Sequence, residues 1–149
     1  MLKYIRLSSE NDDNINNIVK EYEHPSIACY ISIDRKNYFK YVTETANVCF
    51  YKVYREGELV GTTHLELNDK TLYMDIVIFP THQRQGIGTQ ILDDIQCGKV
   101  GIDFDEIEIS IDESNLPSRR LFEKMGFVAV SRDDELINYL WRKNSLIPM

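Results

Sequence analysis

The chain of 149 residues is poor in the usual covalent and conformational staples. It has 3 cysteines, 4 prolines and 1 tryptophan. Cys29, Cys49 and Cys97 are odd in number, far apart and form no Cys-x-x-Cys pair. That pattern indicates neither a disulfide framework nor a zinc knuckle, so no metal is expected. Three buried free thiols in a reducing compartment are expected instead. No stretch approaches the roughly 20 apolar residues of a membrane span. Residues Met1 to Glu10 contain no apolar signal-peptide segment. Positive charge is also short: 17 Lys and Arg against 24 Asp and Glu leave a net charge of −7. A protein that grips nucleic acid over a broad surface needs the opposite balance. The expectation is a cytoplasmic protein with neither membrane nor nucleic acid as partner. A cationic substrate suits an acidic chain, although most acidic chains are simply soluble.

What is present is ordinary globular material, with 43% hydrophobic and 28% charged residues. The length fits one domain over residues 1–149. Leu2 to Leu7 reads as a first strand. Ile15, Ile18, Val19 and Tyr22 recur at helical spacing after a run rich in capping residues, and Pro25 is expected to end that helix. Asp34 is placed to cap a second helix with Tyr38, Phe39 and Val42 on its inner face. The period then changes to two. Val48 to Val53, Leu59 to Leu67 and Thr71 to Phe79 form a meander with tight turns at 55–58 and 68–70. Gly86 and Gly88 open a helix that carries Ile91, Leu92 and Ile95 and ends before Gly98. Glu106 to Asp112 alternates acid and isoleucine, a strand with one wet face. Asn115 to Met125 is helical, with Pro117 in the first turn and Gly126 as a left-handed cap. Two closing strands, 127–131 and 136–142, flank a turn at Arg132-Asp133-Asp134-Glu135. The order implies an α/β (α+β) fold. A mixed sheet carries about four helices on its faces, and one strand-helix-strand unit, Thr71 to Asp112, should be parallel.

The most informative segment is Gln83-Arg84-Gln85-Gly86-Ile87-Gly88-Thr89, between a strand and a helix. Glycines let a ligand approach the backbone closely. The first amides of a helix lack intrahelical partners, and the helix dipole adds roughly half a positive charge there. Such an end binds a diphosphate with little help from lysine, and Arg84 can add one charge-assisted contact. A P-loop would need Gly-Lys-Ser/Thr where this chain has Gly88-Thr89-Gln90. A dinucleotide fingerprint would need a glycine where Ile91 stands, although Asp105 lies at about the right distance for its ribose acid. Alone, the two glycines fit a plain tight turn equally well.

A second block follows the next strand: Asn115-Leu116-Pro117-Ser118-Arg119-Arg120-Leu121-Phe122-Glu123-Lys124-Met125-Gly126-Phe127. Together with Gln-x-x-Gly-x-Gly at positions 83–88, it closely resembles the GCN5-related N-acetyltransferase (GNAT) family. The resemblance is strongest from about Thr71 to Phe127. It implies a splayed, mostly antiparallel mixed sheet with acetyl-CoA held between the strands that end at Phe79 and Asp112. It assigns the diphosphate to the amides of Gln83, Arg84, Gln85, Gly86, Ile87, Gly88 and Thr89. It also implies strand-like pairing of the pantetheine with Ile76, Val77 and Ile78, and places Asn115, Ser118 and Phe122 beside the CoA arm. The implied reaction is direct attack of a primary amine, on a small molecule or peptide, on the acetyl thioester. The family also allows a homodimer.

An alkyl amine has a pKa near ~10.4, so a proton must be removed. Asp75 interrupts an apolar strand just before the implied cofactor edge, where a carboxylate is costly unless paired or functional. It is the candidate base, with Glu66 and His64 as competitors on the neighbouring strand. The bland expectations are a packing or surface His64, a solvated His82 and a half-buried Tyr73. Many family members carry a tyrosine where this chain has Phe122. Phenylalanine has no proton to give a departing thiolate. That departure keeps a second reading in view, a non-catalytic acyl-CoA-binding module or sensor. A third, a dehydrogenase fragment, would require NADH binding that acetyl-CoA does not displace.

Overall fold

The computed structural model describes residues 1–143. Strand β1 (Leu2–Arg6) leads to helices α1 (Ile15–Tyr22), α2 (Pro25–Ala28) and α3 (Arg35–Glu44). The meander follows as β2 (Val48–Arg55), β3 (Glu58–Asn68) and β4 (Thr71–Ile78). Then come α4 (Ile87–Gln96), β5 (Glu106–Asp112), α5 (Leu116–Lys124), β6 (Val128–Asp133) and β7 (Leu136–Arg142). One sheet of seven strands has the order β1-β2-β3-β4-β5-β7-β6. Every pairing is antiparallel except β4 with β5. The mixed, mostly antiparallel sheet is as expected.

Three expectations need correction. Pro25 does not merely end a helix. It opens α2 at the first helical position, where its missing N–H costs nothing, and His24 Nδ1 accepts the Ser26 amide at 3.2 Å. The described residues thus hold five helices, in keeping with the mixed sheet and about four helices expected. The thiols are not buried: Cys29 and Cys97 are exposed and Cys49 is half-buried. Cys29 and Cys97 stand at the C-caps of α2 and α4, and helix ends lie at the surface. The last hairpin is also tighter than its polar run suggested. Arg132 and Asp133 belong to β6, and the turn is Asp134-Glu135, with Asp134 at φ 53°.

The strand alternation sorts side chains onto two cores. Leu65, Leu72, Met74, Ile107, Ile109 and Ile111 face α4 and α5. Val48, Phe50, Val77 and Phe79 face α1–α3. Lys52 shares the second face, although it is charged. Its Nζ donates to Asp12 Oδ2 at 2.9 Å and Asn14 Oδ1 at 3.0 Å, which ties the loop before α1 to the sheet. Gly61 in β3 permits a close approach of β4. A Cβ there would lie 2.3 Å from the Val77 carbonyl oxygen.

The site depends on how β4 meets β5. The two pair only at Thr71–Tyr73 against Glu106–Glu108. Beyond Tyr73 they part, and the sheet splays open.

Candidate active site

A cavity of about 400 Å³ occupies the splay. Ile76, Val77 and Ile78 of β4 form one wall. Phe79 N–H donates to Val60 O at 2.9 Å. Antiparallel hydrogen bonding alternates along the strand, so the amides of Ile76 and Ile78 point away from β3, into the splay. Gln83 Nε2 caps the Ile78 carbonyl at 3.0 Å.

The second wall is Gln83, Arg84, Gly86, Ile87, Gly88 and Thr89. Gly86 is the N-cap of α4, left-handed at φ 79°, with no side chain to cap the helix. The amide of Gln90 bonds the Gly86 carbonyl at 3.1 Å, so those of Ile87, Gly88 and Thr89 precede the helical ladder. The two glycines have different tasks. A Cβ on Gly86 would meet nothing within 4 Å, whereas one on Gly88 would lie 3.0 Å from Leu121 Cδ2. Gly86 thus keeps the backbone conformation and the cavity floor bare. Gly88 lets α4 approach α5. Lys124 donates to Thr89 Oγ1 at 3.1 Å, so a lysine ammonium as well as the Arg84 side chain belongs to this region. Bare amides, a helix dipole and the Arg84 cation make this end suitable for a diphosphate.

The third wall comes from α5, with Asn115, Pro117, Ser118, Leu121 and Phe122. Asn115 caps the helix by accepting the Ser118 amide at 3.4 Å. Phe122 is only 2% exposed and meets Phe127 edge-on at 5.0 Å. Gln85 does not line the cavity. Its Oε1 accepts from Arg55, and its Nε2 donates to Thr81 O at 3.4 Å.

Sequence reasoning named no residue of the fourth wall: Ser26, Ile27, Tyr30 and Ile31, on α2 and the segment after it. Tyr30 Oη lies 3.4 Å from Ser114 Oγ, across the mouth of the splay. The signal for α2 was available as His24-Pro25-Ser26, a capped start with proline at the first position. No spacing in the sequence assigned individual residues of that helix to the cavity.

Asp75 also lies outside the cavity lining, immediately before Ile76. It sits on the α1–α3 face of β4, opposite His64 in the cross-strand register. Its Oδ1 is buried without a hydrogen-bond partner. Burial pushes its carboxyl above the usual range, against the opposing pull of His64. The hydroxyls of Tyr22 and Tyr38 are raised by burial and then by the Asp75 charge. His64 is a packed residue: Tyr38 Oη lies 2.9 Å from its Nδ1, and Glu66 Oε1 lies 3.4 Å from its Nε2. His82 is not solvated as expected. Its side chain is 14% exposed and stands 3.7 Å from Glu58. Tyr73 is more open than expected, at 40%.

A comparison with curated protein sequences finds no match. Solved structures do resemble the fold. The N-acetyltransferase PseH of Campylobacter jejuni, in complex with acetyl coenzyme A, superposes with a TM-score of 0.77 at 13% identity, covering 96% of this chain and 99% of that one. Spermidine N-acetyltransferase from Vibrio cholerae, in complex with CoA and spermine, gives a TM-score of 0.80 at 14% identity, covering 96% of each chain. The model of the acetyltransferase (GNAT) family matches residues 14–127. With its splayed sheet and glycine-opened helix, the chain belongs to this family, whose cosubstrate is acetyl-CoA.

Proposed function

We propose that the protein acetylates a primary amine of a small molecule or peptide, by direct attack of the amine on acetyl-CoA. We take residues 1–149 as a single acetyltransferase domain acting in the cytoplasm, a setting that suits its exposed thiols. The observation that carries the reading is the bare amide end of α4, facing the cavity where β4 and β5 part. Gly86, Ile87, Gly88 and Thr89 hold the diphosphate, with Arg84 beside them. Gln83 and Gln85 shape the loop: one caps Ile78, the other is held by Arg55. Asn115, Ser118 and Phe122 border the CoA arm. Bound in this way, the cosubstrate supplies an acyl carbon already activated as a thioester. The inward amides of Ile76 and Ile78 stabilise negative charge on its carbonyl oxygen. Asp75 accepts the proton shed by the amine, directly or through water. The unmet Oδ1 and the raised pKa support this role.

One observation favours a non-catalytic acyl-CoA sensor instead: Phe122 has no proton to donate. A thiol pKa near ~8.5 lets the thiolate leave without that help. Thiol release from acetyl-CoA across a panel of amines separates the two readings. Release that requires an amine is expected; tight binding without release on any amine would favour the sensor. Phe122→Tyr should leave acetyl-CoA affinity within about twofold, because the ring keeps its place. A loss above about tenfold by calorimetric titration would show that this residue does not border the arm as described.

A further inference from the structure

Acetyl-CoA does not end at its diphosphate. Beyond it lies an adenosine whose ribose bears a 3′-phosphate, a monoester that carries a charge of about −1.5 to −2 at neutral pH. With the acetyl group in the splay and the diphosphate on the first turn of α4, this part must leave the cavity past that turn. The side chains just outside it therefore meet the second phosphate group.

Helix α5 carries the cavity wall outward at this point. Pro117 and Leu121 line the cavity. Lys124 stands one turn beyond Leu121 on the same stripe of the helix, and Arg120 lies beside the stripe, four residues before Lys124. Gly88 lets the stripe meet α4, because an added Cβ there would lie 3.0 Å from Leu121 Cδ2. Lys124 Nζ then donates to Thr89 Oγ1 at 3.1 Å. Thr89 lines the cavity and belongs to the turn whose amides precede the helical ladder. The bond holds the ammonium within roughly 10 Å of a phosphate seated on the Thr89 amide. An ammonium has three donors, and Thr89 takes one.

Neither cation is neutralised by the protein. Among the described residues, Lys124 and Arg120 have no ion-pair partner, and Arg120 makes no hydrogen bond. That is unexpected in a chain with 24 acidic and only 17 basic side chains. Glu123, between them in sequence, accepts instead from Tyr139 Oη at 2.6 Å. Asp93, one turn along α4 from Thr89, forms no ion pair. Exposed cations are ordinarily a solvated surface. These two differ because they prolong a cavity wall, and one of them is tied to the helix end that the diphosphate occupies.

We propose that Lys124, with Arg120 beside it, receives the 3′-phosphate of the coenzyme, so that the protein selects CoA thioesters over 3′-dephospho-CoA thioesters. The pantetheine and diphosphate contacts serve both forms, and only this pair meets the additional phosphomonoester. Charge-assisted hydrogen bonds from an ammonium and a guanidinium suit such a group. The inference rests on the binding of acetyl-CoA at α4 and adds a specificity-determining contact outside the cavity.

The test is calorimetric titration of the wild-type protein with acetyl-CoA and with acetyl-3′-dephospho-CoA. We expect acetyl-CoA to bind about 30-fold tighter at low salt, and added NaCl to narrow the gap. Lys124→Gln should cut the ratio about tenfold by weakening acetyl-CoA alone, Arg120→Gln should cut it about threefold, and Lys124→Arg should keep most of it. A general loosening of the α4–α5 contact would weaken both esters and cancel in the ratio. Equal binding of the two esters by the wild type would overturn the proposal. So would a Lys124→Gln variant that weakens both by the same factor, since the lysine would then serve the diphosphate or the packing of the helices. Should Lys124→Gln fail to fold, the wild-type ratio and Arg120→Gln still decide. Binding of neither ester would overturn the acetyl-CoA reading together with this one, whereas equal binding of both overturns this one alone.

Discussion

Gly86→Val should weaken acetyl-CoA binding by at least about 100-fold while the protein still folds. Gly86 caps α4 at φ 79°, a conformation that costs an L-residue roughly 1–2 kcal/mol and a β-branched one more. The protein around it leaves room, since an added Cβ would meet nothing within 4 Å. The new side chain would therefore stand in the cavity, over the amides of Ile87 and Gly88, where a diphosphate must approach within ~3 Å. Backbone strain alone can be separated from obstruction. Gly57, in the β2–β3 turn, has φ 81° and equally empty surroundings. Gly57→Val should carry a similar strain and bind acetyl-CoA normally. Calorimetric titration of both variants, with unfolding curves alongside, makes the comparison. Near-normal binding by Gly86→Val would remove the diphosphate from this end of α4.

Asp75→Asn should lower kcat by ~10²–10⁴ and leave acetyl-CoA affinity within about twofold. Asparagine keeps the shape and removes the group that accepts the proton. The pH dependence gives a second signature. Burial raises the folded-state pKa of Asp75 above its unfolded value. Below the ordinary carboxylate range both states hold the proton and no difference arises. As pH rises from that range through the folded-state pKa, the unfolded chain sheds its proton first, so the native state loses stability. The wild type should therefore lose stability across that window, and the asparagine variant should lack that loss. Its rate should also lack the ascending limb by which the wild type gains activity as Asp75 deprotonates. Urea unfolding and pH–rate profiles measure both. A flatter stability curve with unchanged kcat would make Asp75 a structural residue only.

The parts of this molecule legible from sequence are those governed by local rules. The meander was set by alternation and by turns such as Glu56-Gly57, where both residues take positive φ, at 52° and 81°. Helix α4 was marked by two glycines and α5 by an asparagine cap with proline behind it. Those same residues, Gly86, Gly88, Asn115 and Ser118, form two walls of the cavity. Hence the motif residues could be read from sequence as neighbours around one cavity. The parts that escaped depend on contacts distant in sequence. Ser26, Ile27, Tyr30 and Ile31 reach the cavity only because α1–α3 fold over β2–β4. No periodicity encodes that docking. His82 looked like a solvated loop residue, yet it packs near Glu58, a residue from the other end of β3. Gln85 sits inside the loop motif but turns outward to Arg55, which a motif position cannot disclose. The compensation of Lys52 by Asp12 and Asn14 likewise joins residues about 40 positions apart.

The cosubstrate grip can be tested most directly by a crystal structure of the protein with acetyl-CoA bound. The account predicts diphosphate oxygens within ~3 Å of the Ile87 and Gly88 amides and the acetyl group beside Ile76–Ile78, in the splay of β4 and β5. A diphosphate held elsewhere by lysine side chains, with the α4 amides facing water, would contradict it.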